Sequence, residues 1–381
     1  MEASDDGCVI RNRNRLRKGH TTGSCAAAAA AAATEMLFHD HAPSHSSIVL
    51  PNGDSLNLPV SEHYRDDLKA RCAVRKDAGD DPDVTDGYLV YAEVELSEEE
   101  GIRIEGGEGI GRVTRKGLDQ AVGEHAINSV PRRMIADSVA SVLDSNDHRG
   151  GAKVVVSIPG GERIAQRTFN PRLGIEGGLS ILGTTGIVEP MSESAIIETV
   201  KAEMNIQIAE GVKHLLVTPG NYGASYVSIM PELQPDRIIK CSNFIGETID
   251  HASHMGAESL LIVGNMGKLV KLAAGIMNTH SRYADGRMEV IASHAAMAGA
   301  SKEDVTIIMG CLTTDDALEV LTSLDLLQDT IESIMDRVGF HLYYRAGPDM
   351  KIGAVVHSSK FGLLGTTDQA AEIMTQHGGG S

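Results

Sequence analysis

Three asparagines stand at corresponding places in the second half of the chain. Asn221, Asn243 and Asn265 are spaced 22 residues apart, and each follows a short apolar segment. An Asn side chain both donates and accepts hydrogen bonds, and an adjacent glycine lets a ligand approach the backbone. Asn and Gly are also ordinary residues of turns, but the repeated spacing favours a binding site for a small cofactor. The glycines beside them are Gly223, Gly264 and Gly267.

A lysine and a polar loop follow the third asparagine. Gly267-Lys268 is similar to the end of a phosphate-binding loop, but the rest of the G-x-x-x-x-G-K-[ST] pattern is absent, which argues against a nucleoside triphosphatase. The following loop concentrates donors, acceptors and one titratable imidazole in His280, Asp285 and Arg287. A loop with this content is a candidate for ligand contact and acid–base chemistry.

The first half of the chain carries a local excess of positive charge. Between Arg103 and Arg172 there are eleven Lys or Arg and eight Asp or Glu, whereas the whole chain has a net charge of −18. The planar guanidinium of arginine binds both oxygens of a carboxylate, so this segment could hold an anion. Internal salt bridges are the competing use. The candidates are Arg112, Arg115, Lys116, Arg132, Arg133, Arg163, Arg167 and Arg172.

Two other patterns could bind an anion through the backbone. The glycine-rich turn 105–111 is similar to a dinucleotide fingerprint, but no helix follows it directly, which argues against a nucleotide-dependent oxidoreductase. The residues Thr21, Thr22 and Gly23 precede the alanine run Ala26–Ala33, where exposed amides at a helix start would attract an anion. Ordinary N-capping explains these three residues equally well.

Two different rhythms of apolar residues predict two domains. After about residue 212, short strands alternate with helices, which is typical of a parallel sheet with helices on both faces. The earlier part mixes strands and helices as in an α+β domain. We place the domains at 1–190 and 191–381. The predicted strands are Ile48–Leu50, Tyr88–Leu96, Ile102–Glu105, Lys153–Ile158, His214–Val217, Arg237–Lys240, Ser259–Val263 and Ile352–Val356, and the predicted helices include Ser24–Leu37, Leu118–Ile127 and Pro131–Leu143.

Composition excludes several classes of protein. A net charge of −18 argues against binding to nucleic acid or to an anionic membrane surface, because both need a basic face. Five cysteines without a C-x-x-C pair fit neither a disulfide framework nor a structural zinc site, so we expect a cytoplasmic protein without a metal site. A homo-oligomer is compatible with the sequence.

Several longer motifs together resemble the CbiD family, over roughly residues 15 to 375. They are Leu16–Ala27, Lys76–Thr85, Ala126–Arg132, Thr168–Gly178, Gly183–Ser192, Gly267–Ala273, Asn278–Ser281 and Ala284-Asp285. The resemblance implies a C-methyltransferase of the anaerobic cobalamin pathway, which transfers the methyl group of S-adenosylmethionine to carbon 1 of cobalt-precorrin-5B and forms cobalt-precorrin-6A. Cobalt then enters only as part of the corrinoid substrate.

The resemblance also implies a fold. It predicts an α+β N-terminal domain like a permuted ribosomal-S5-domain-2 unit, followed by an α/β domain with a four-stranded parallel sheet. A corrinoid with many carboxylate arms requires cations and backbone amides around it, which agrees with the arginine-rich segment.

The site residues divide into three groups under this hypothesis. His280, oriented by Asp285, is the first candidate base, and Glu189 is the second. The donor would bind at Asn221, Gly223, Asn243, Gly264, Asn265 and Gly267. The corrinoid would bind at Thr21, Thr22, Gly23, Arg112, Arg132, Arg172, Thr184, Thr185, Lys268 and Arg287. A non-catalytic carrier of corrinoids or other tetrapyrroles remains the alternative.

Overall fold

The protein is described by a computed structural model over residues 7–11, 13–39, 41–230 and 233–378. The chain divides into two compact units between Glu193 and Ser194. Within the described ranges, no helix has the length and apolar character needed to cross a membrane.

The first unit is built around a six-stranded sheet with strand order β4-β5-β6-β7-β10-β8. Neighbouring strands are antiparallel except β10 and β8, which are parallel, and three short pairs (β1–β2, β3–β12 and β9–β11) lie outside this sheet. The strands are β1 (Cys8–Arg11), β2 (Asn14–Arg17), β3 (Gly19–His20), β4 (His45–Val49), β5 (Ser55–Arg65), β6 (Lys69–Arg75), β7 (Leu89–Ser97), β8 (Ile102–Gly106), β9 (Arg112–Val113), β10 (Gly151–Ser157), β11 (Ile175–Glu176) and β12 (Ile187–Val188), and the helices are α1 (Thr22–Phe38), α2 (Ser129–Ser145) and α3 (Gly161–Ala165).

The alanine-rich helix α1 forms the centre of the first core. Its residues from Cys25 to Ala33 are buried, and it packs against β6, β7 and α2. Alanine has a high helix propensity and a side chain of one carbon, so the helix forms readily and approaches its neighbours closely. The core therefore depends on small side chains rather than on aromatic rings.

The second unit contains a five-stranded sheet with strand order β14-β13-β15-β16-β17. The first four strands are parallel, and β17 is antiparallel to β16. The expectation of a four-stranded sheet was therefore incomplete, because a β-strand after β16 adds a fifth, antiparallel edge. The strands are β13 (His214–Thr218), β14 (Ile238–Lys240), β15 (Ser259–Asn265), β16 (Lys351–Ser358) and β17 (Gly362–Thr366), and the helices are α4 (Glu193–Ala209), α5 (Asn221–Val227), α6 (Ile245–His254), α7 (Met266–Leu269), α8 (Arg287–Met297), α9 (Lys302–Met309), α10 (Thr314–Ser323), α11 (Leu327–Ala346) and α12 (Ala370–Gly378).

The predicted parallel strands are confirmed, and one predicted helix is wrong. The segment Leu118–Ile127 forms turns instead of a helix. Gly117 and Gly123 adopt φ angles of +94° and +92°, outside the helical region, and the Asp119 carboxylate accepts the backbone N–H of Ser129. The strands β5 and β6 were not predicted.

Enlarging a side chain of α1 tests the role of its alanines. We expect Ala28→Leu to reduce the free energy of unfolding by about 1–3 kcal/mol, because Ala28 is fully buried and the added atoms have no space. Urea denaturation followed by circular dichroism measures this change. Ala195→Leu, on the exposed side of α4, is the matched control and should change stability by less than about 0.5 kcal/mol. Equal effects of the two substitutions would contradict close packing of α1.

Candidate functional site

The carboxyl ends of β13 and β15 lie where the strand order of the second unit reverses, and this edge of the sheet is called the crevice below. The residue Val227 of α5 packs with Leu216 and Leu261 on one face of the sheet. Helix α6 packs on the opposite face, with Ile249 among the neighbours of Leu215. The connections after β13 and β14 therefore cover opposite faces, and the strand order reverses between β13 and β15. In open parallel sheets, ligands bind at this reversal point.

Lys268 reaches across the crevice from the β15 side. Its ammonium donates to the Ser242 carbonyl after β14 over 3.5 Å, and the place of a Cβ on Gly220, after β13, lies 3.5 Å from the same nitrogen. Gly220 has a φ of +110°, a backbone conformation that favours glycine. Burial lowers the pKa of Lys268. The crevice thus contains a partly desolvated cation that can bind an anionic group.

The three predicted asparagines have different hydrogen-bond partners. The Asn221 side chain is exposed and accepts the ammonium of Lys240 at 2.9 Å. Asn265 caps α7, because its Oδ1 accepts the Gly267 N–H at 2.9 Å. Asn243, beside the neighbouring strand β14, accepts the Thr279 hydroxyl at 3.3 Å. The structure therefore brings Asn221, Asn265 and Gly267 to the crevice and ties Asn243 to the polar loop.

Two of the predicted cofactor glycines are packed against protein atoms. A Cβ on Gly223 would lie 2.4 Å from the Val263 carbonyl oxygen, and one on Gly264 would lie 2.9 Å from Pro219 Cγ. These glycines allow α5 and the turn after β13 to approach β15. Packing explains the absence of a side chain at Gly223 and Gly264. At Gly220, which sequence analysis overlooked, a Cβ would meet the Lys268 ammonium at an ordinary contact distance of 3.5 Å.

The polar loop is fixed by a second, buried lysine. The ammonium of Lys271 donates to the carbonyls of Thr279 and Ala284 at 3.1 and 2.8 Å. Burial lowers the pKa of Lys271, while Asp285, 3.9 Å away, acts in the opposite direction. Lys271 therefore holds both ends of the loop that carries His280.

The expected pairing of His280 with Asp285 is not formed. Both carboxylate oxygens of Asp285 accept the guanidinium of Arg287, at 2.5 and 2.9 Å. The Nδ1 atom of exposed His280 instead accepts the backbone N–H of Arg282 at 3.0 Å, so Nε2 carries the proton of a neutral ring. The backbone, rather than the predicted carboxylate, orients this imidazole.

His357 is a residue at the strand ends that sequence analysis missed. It lies opposite Asn265 in the register of β15 and β16, and its ring stacks on Tyr226 at 4.1 Å. The buried Nε2 atom has no hydrogen-bond partner in the described part of the chain, and burial lowers the pKa of the ring. The rule used for the asparagines, a polar residue just after an apolar strand, would have identified it.

In the first unit, the segment 182–186 covers the start of α1. The carbonyl of Leu182 accepts the Gly23 N–H at 3.0 Å, and the Thr21 side chain caps α1 by accepting the Ser24 N–H at 3.2 Å. Thr22 exchanges hydrogen bonds with both backbone groups of Leu182. These amides are committed to protein partners, which supports N-capping over an anion site. The exposed residues of the covering segment include Thr184 and Thr185.

Glu189, the second candidate base, lies between two cations. Its carboxylate is 3.4 Å from Arg11 Nη2 and 3.9 Å from Lys18 Nζ, and about 44% of its side chain is exposed. Glu189 therefore stands at the surface as a paired anion.

The acidic loop before β7 is held by internal hydrogen bonds. Arg17 binds both carboxylate oxygens of Asp77 at 2.5 and 2.9 Å, and this bond is the main reason that the pKa of Asp77 is lowered to about 2. Asp80 accepts the Arg17 N–H, and Asp83 lies 3.2 Å from the buried ammonium of Lys76. The loop is thus a structured ion-pair network rather than a solvated turn.

The predicted arginines differ in their surroundings. Arg132 donates to the carbonyls of Ile127 and Ile104 at 2.9 and 3.0 Å, so its guanidinium supports the backbone. Arg112 donates to one carbonyl, that of Gly123, and is exposed, as is Arg172. Arg112 and Arg172 are therefore better placed than Arg132 to meet an anion.

The glycine-rich turns of the first unit pack on one another. A Cβ on Gly109 would lie 1.9 Å from the Ile158 oxygen, and one on Gly178 would lie 2.4 Å from the Gly109 oxygen. The Gly107, Gly111 and Leu179 N–H groups are bonded to other backbone carbonyls. The glycines of these turns allow close backbone packing, which agrees with the prediction that they do not form a dinucleotide site.

Among the described residues, no cluster of three or more His, Cys, Asp or Glu could hold a metal ion.

Comparison with known proteins gives consistent matches. A family model described as CbiD matches residues 9–190, and one described as CbiD, C-terminal domain, matches residues 278–376. A cobalt-precorrin-5B C(1)-methyltransferase of Ruminiclostridium cellulolyticum is 50% identical over 91% of this chain and 90% of its own length. Enzymes of the same name from Thermoanaerobacter sp. and Alkaliphilus metalliredigens are 42% and 39% identical, each over 96% of this chain and over 99% and 96% of their own lengths.

A crystal structure was also matched. The cobalamin biosynthesis protein (cbiD) from Archaeoglobus fulgidus is 28% identical, with a TM-score of 0.40, over 74% of this chain and 88% of that chain.

Removing the Lys271 ammonium tests its hold on the polar loop. We expect Lys271→Met to speed amide hydrogen exchange in residues 278–285 by roughly tenfold, because two carbonyls lose their donor while the apolar stem is kept. Hydrogen-exchange mass spectrometry resolves this segment. Lys302→Met, at the exposed start of α9, should leave it unchanged. Unchanged exchange in the Lys271 variant would show that other contacts hold the loop.

The Arg17–Asp77 pair predicts a dependence of stability on pH. Because the pKa of Asp77 is lower in the folded protein than the ordinary value of 3.8, its contribution is present above about pH 4 and disappears as the pH falls through about 2. We expect Asp77→Asn to cost about 1 kcal/mol at pH 7, since the pair is half exposed and screened. The difference from the wild type should shrink between pH 4 and pH 2 in denaturation experiments.

Asp137→Asn is the control for this measurement. Asp137 is exposed on α2 and makes no ion pair within the described ranges. It should change the stability by less than about 0.5 kcal/mol at either pH. A stability difference for Asp77→Asn that stays constant down to pH 2 would contradict the assignment to the ion pair.

Proposed function

The chain belongs to the CbiD family, and from that membership we propose that it is a C-methyltransferase that methylates carbon 1 of cobalt-precorrin-5B. The observation that carries this proposal is the 50% identity to an enzyme of that name over 91% of the chain. An alignment of this extent includes both compact units, so it supports the complete activity rather than that of one domain. The proposed product is cobalt-precorrin-6A.

S-adenosylmethionine is the proposed methyl donor. When bound, it supplies an activated methyl group: carbon 1 forms a bond to the methyl carbon while the bond from that carbon to sulfur breaks, and S-adenosylhomocysteine is released. Such a displacement needs the nucleophilic carbon, the methyl carbon and the sulfur in line, so positioning and exclusion of water are the protein's main contributions.

The crevice of the second unit suits the donor. Lys268, which the sequence analysis assigned to the corrinoid, is assigned in this proposal to the donor's carboxylate. Its partly desolvated ammonium lies at the strand ends, beside Gly220. We propose that Asn221, Asn265 and Gly267 contact the donor directly. We assign Asn243, Gly223 and Gly264 to supporting the backbone around the crevice. Asn243 is hydrogen-bonded to Thr279, and the two glycines are packed against other protein atoms.

Further residues are needed to bind the corrinoid and to accept a proton. We propose that Arg112, Arg172, Thr184 and Thr185 contact the corrinoid from the first unit, because all four are exposed. In the second unit, Arg287 fixes Asp285. His280 remains the proposed proton acceptor. The lone pair of its neutral ring is at Nδ1, so the ring takes a proton there when the hydrogen bond from the Arg282 N–H is released. Glu189 remains the second candidate. We assign Thr21, Thr22, Gly23 and Arg132 to positioning.

The proposal also includes the domain bounds, the type of fold of the first domain and the cellular compartment. We assign the two domains to 1–190 and 191–381 and interpret the six-stranded sheet with α1 and α2 as the permuted ribosomal-S5-domain-2-like unit. The described cysteines form no disulfide with one another, which supports a reducing compartment such as the cytoplasm.

Methyl transfer to the macrocycle tests the function. With S-adenosylmethionine labelled in its methyl group and cobalt-precorrin-5B, we expect labelled corrinoid by liquid chromatography and mass spectrometry. Lys268→Ala should lower kcat/KM for the donor by roughly tenfold or more, because a charge-assisted contact is lost. Lys302→Ala, an exposed lysine on α9, should leave it unchanged.

Binding separates the enzyme from a carrier. A wild-type chain that binds the corrinoid but neither binds S-adenosylmethionine in calorimetry nor transfers label would contradict the methyltransferase and favour the carrier. A Lys268→Ala variant with an unaltered kcat/KM for the donor would remove Lys268 from the donor site.

A further inference from the structure

Phe169 exposes an aromatic ring on the first unit. The ring leaves 59% of its surface accessible, although the chain has only five Phe and eight Tyr. Single exposed apolar side chains are ordinary on protein surfaces, so exposure alone assigns no role. The loop that carries the ring and the charges beside it are the features that distinguish Phe169.

The loop that carries Phe169 is rigidly bonded. The Thr168 hydroxyl donates to the Ala165 carbonyl at 2.7 Å and accepts the Asn170 N–H at 3.1 Å. Asn170 is 7% exposed, and its Oδ1 accepts the Ser180 hydroxyl at 3.1 Å. The Ile175 N–H closes the loop on the Asn170 carbonyl at 2.9 Å. The ring is therefore presented outward by a pre-ordered loop, which lowers the entropy cost of binding.

Two arginines precede this loop, one on α3 and one on the turn that follows α3. Arg163 and Arg167 are exposed, whereas Ile164 and Ala165 between them are buried. The turn is fixed by the Arg167 N–H, which donates to the Ile164 carbonyl at 2.9 Å. In the part of the chain that the structure describes, neither arginine forms an ion pair. Arg163 and Arg167 precede Phe169 by six and two residues, and all three side chains are exposed.

We infer that Phe169, Arg163 and Arg167 form a binding surface for a flat macrocycle with carboxylate arms. The ring offers a face on which a planar conjugated system can stack, and each guanidinium can bind a carboxylate through two parallel hydrogen bonds. A small apolar ligand would leave the arginines unused, and a small anion would leave the ring unused. The inference rests on the proposed function. It identifies a surface of the first unit that would recognise the substrate of that function.

Two corrinoids that share a ring but differ in charge separate the two contributions. Cob(II)yrinic acid has arms that end in carboxylates, and cob(II)inamide has arms that end in amides. In both, the five-coordinate cobalt leaves one face of the ring open to stacking. We expect Phe169→Ala to weaken the binding of both by roughly tenfold, since the stacking face is lost for each. Arg163→Gln with Arg167→Gln should weaken only the acid, by roughly tenfold at low salt. Equilibrium dialysis read by the visible absorption of the corrinoid measures all four affinities.

Matched variants control for general effects. Phe340→Ala removes an aromatic ring of similar exposure, 54%, from α11, and Arg237→Gln removes an exposed arginine just before β14. Both should bind the two corrinoids as the wild type does. The inference is overturned by a wild type that binds neither corrinoid, by Phe169→Ala with unchanged affinities, or by Phe340→Ala with an equal loss.

The same variants distinguish this inference from the proposed function. Wild-type corrinoid binding that depends on Phe169, without methyl transfer, would contradict the methyltransferase and support the surface. Methyl transfer with an unchanged KM for cobalt-precorrin-5B in Phe169→Ala would support the methyltransferase and contradict the surface. Circular dichroism of the variants verifies that each is folded, which is expected for substitutions at exposed positions.

Discussion

Both units depend on backbone segments that approach one another more closely than any side chain would allow. In the first unit, Gly109 and Gly178 leave no room for a Cβ between neighbouring turns. In the second unit, Gly223 lets α5 contact the Val263 carbonyl, and Gly353 lets β16 contact Ala370. The alanine run of α1 has the same effect at the level of a helix and a sheet. The scarcity of aromatic residues and the abundance of glycine are thus two aspects of one mode of packing.

This mode of packing determines which residues remain for chemistry. Glycines that lie between backbones cannot also line a ligand pocket, so Gly223 and Gly264 support the crevice while Gly220 borders it. The side chains that extend from the packed turns are then the ones available to a ligand: Lys268 from the short helix after β15, and Phe169 from the loop anchored by Asn170. In both cases a rigid backbone positions a flexible or planar group, which is the arrangement that precise binding requires.

The sequence predicted the secondary-structure elements better than it predicted the hydrogen-bond and ion-pair partners of individual side chains. The strands of the parallel sheet were found because their apolar runs are nearly continuous, and α1 was found because its alanines favour a helix. The helix over 118–127 failed because Gly123 adopts a positive φ that apolar periodicity does not reveal. The Asn spacing correctly indicated corresponding turns, but whether Asn243 faces a ligand or Thr279 depends on contacts between segments distant in the chain. The assignment of Asp285 to His280 failed for the same reason, because Arg287 is the nearer partner.

The net charge of −18 does not indicate the local charge that a ligand meets at each surface, because many of the acidic side chains bind nearby cations or backbone N–H groups. Asp77 and Asp80 bind Arg17, Asp83 lies against Lys76, and Asp86 accepts the Ala78 N–H. At physiological ionic strength, exposed charges are screened over about 8 Å, so these compensated carboxylates contribute little at a distant surface. An approaching anion responds instead to cations without such partners. Among the described residues Arg163 and Arg167 have no ion-pair partner, which is how an acidic protein could still attract a polycarboxylate to the surface proposed above.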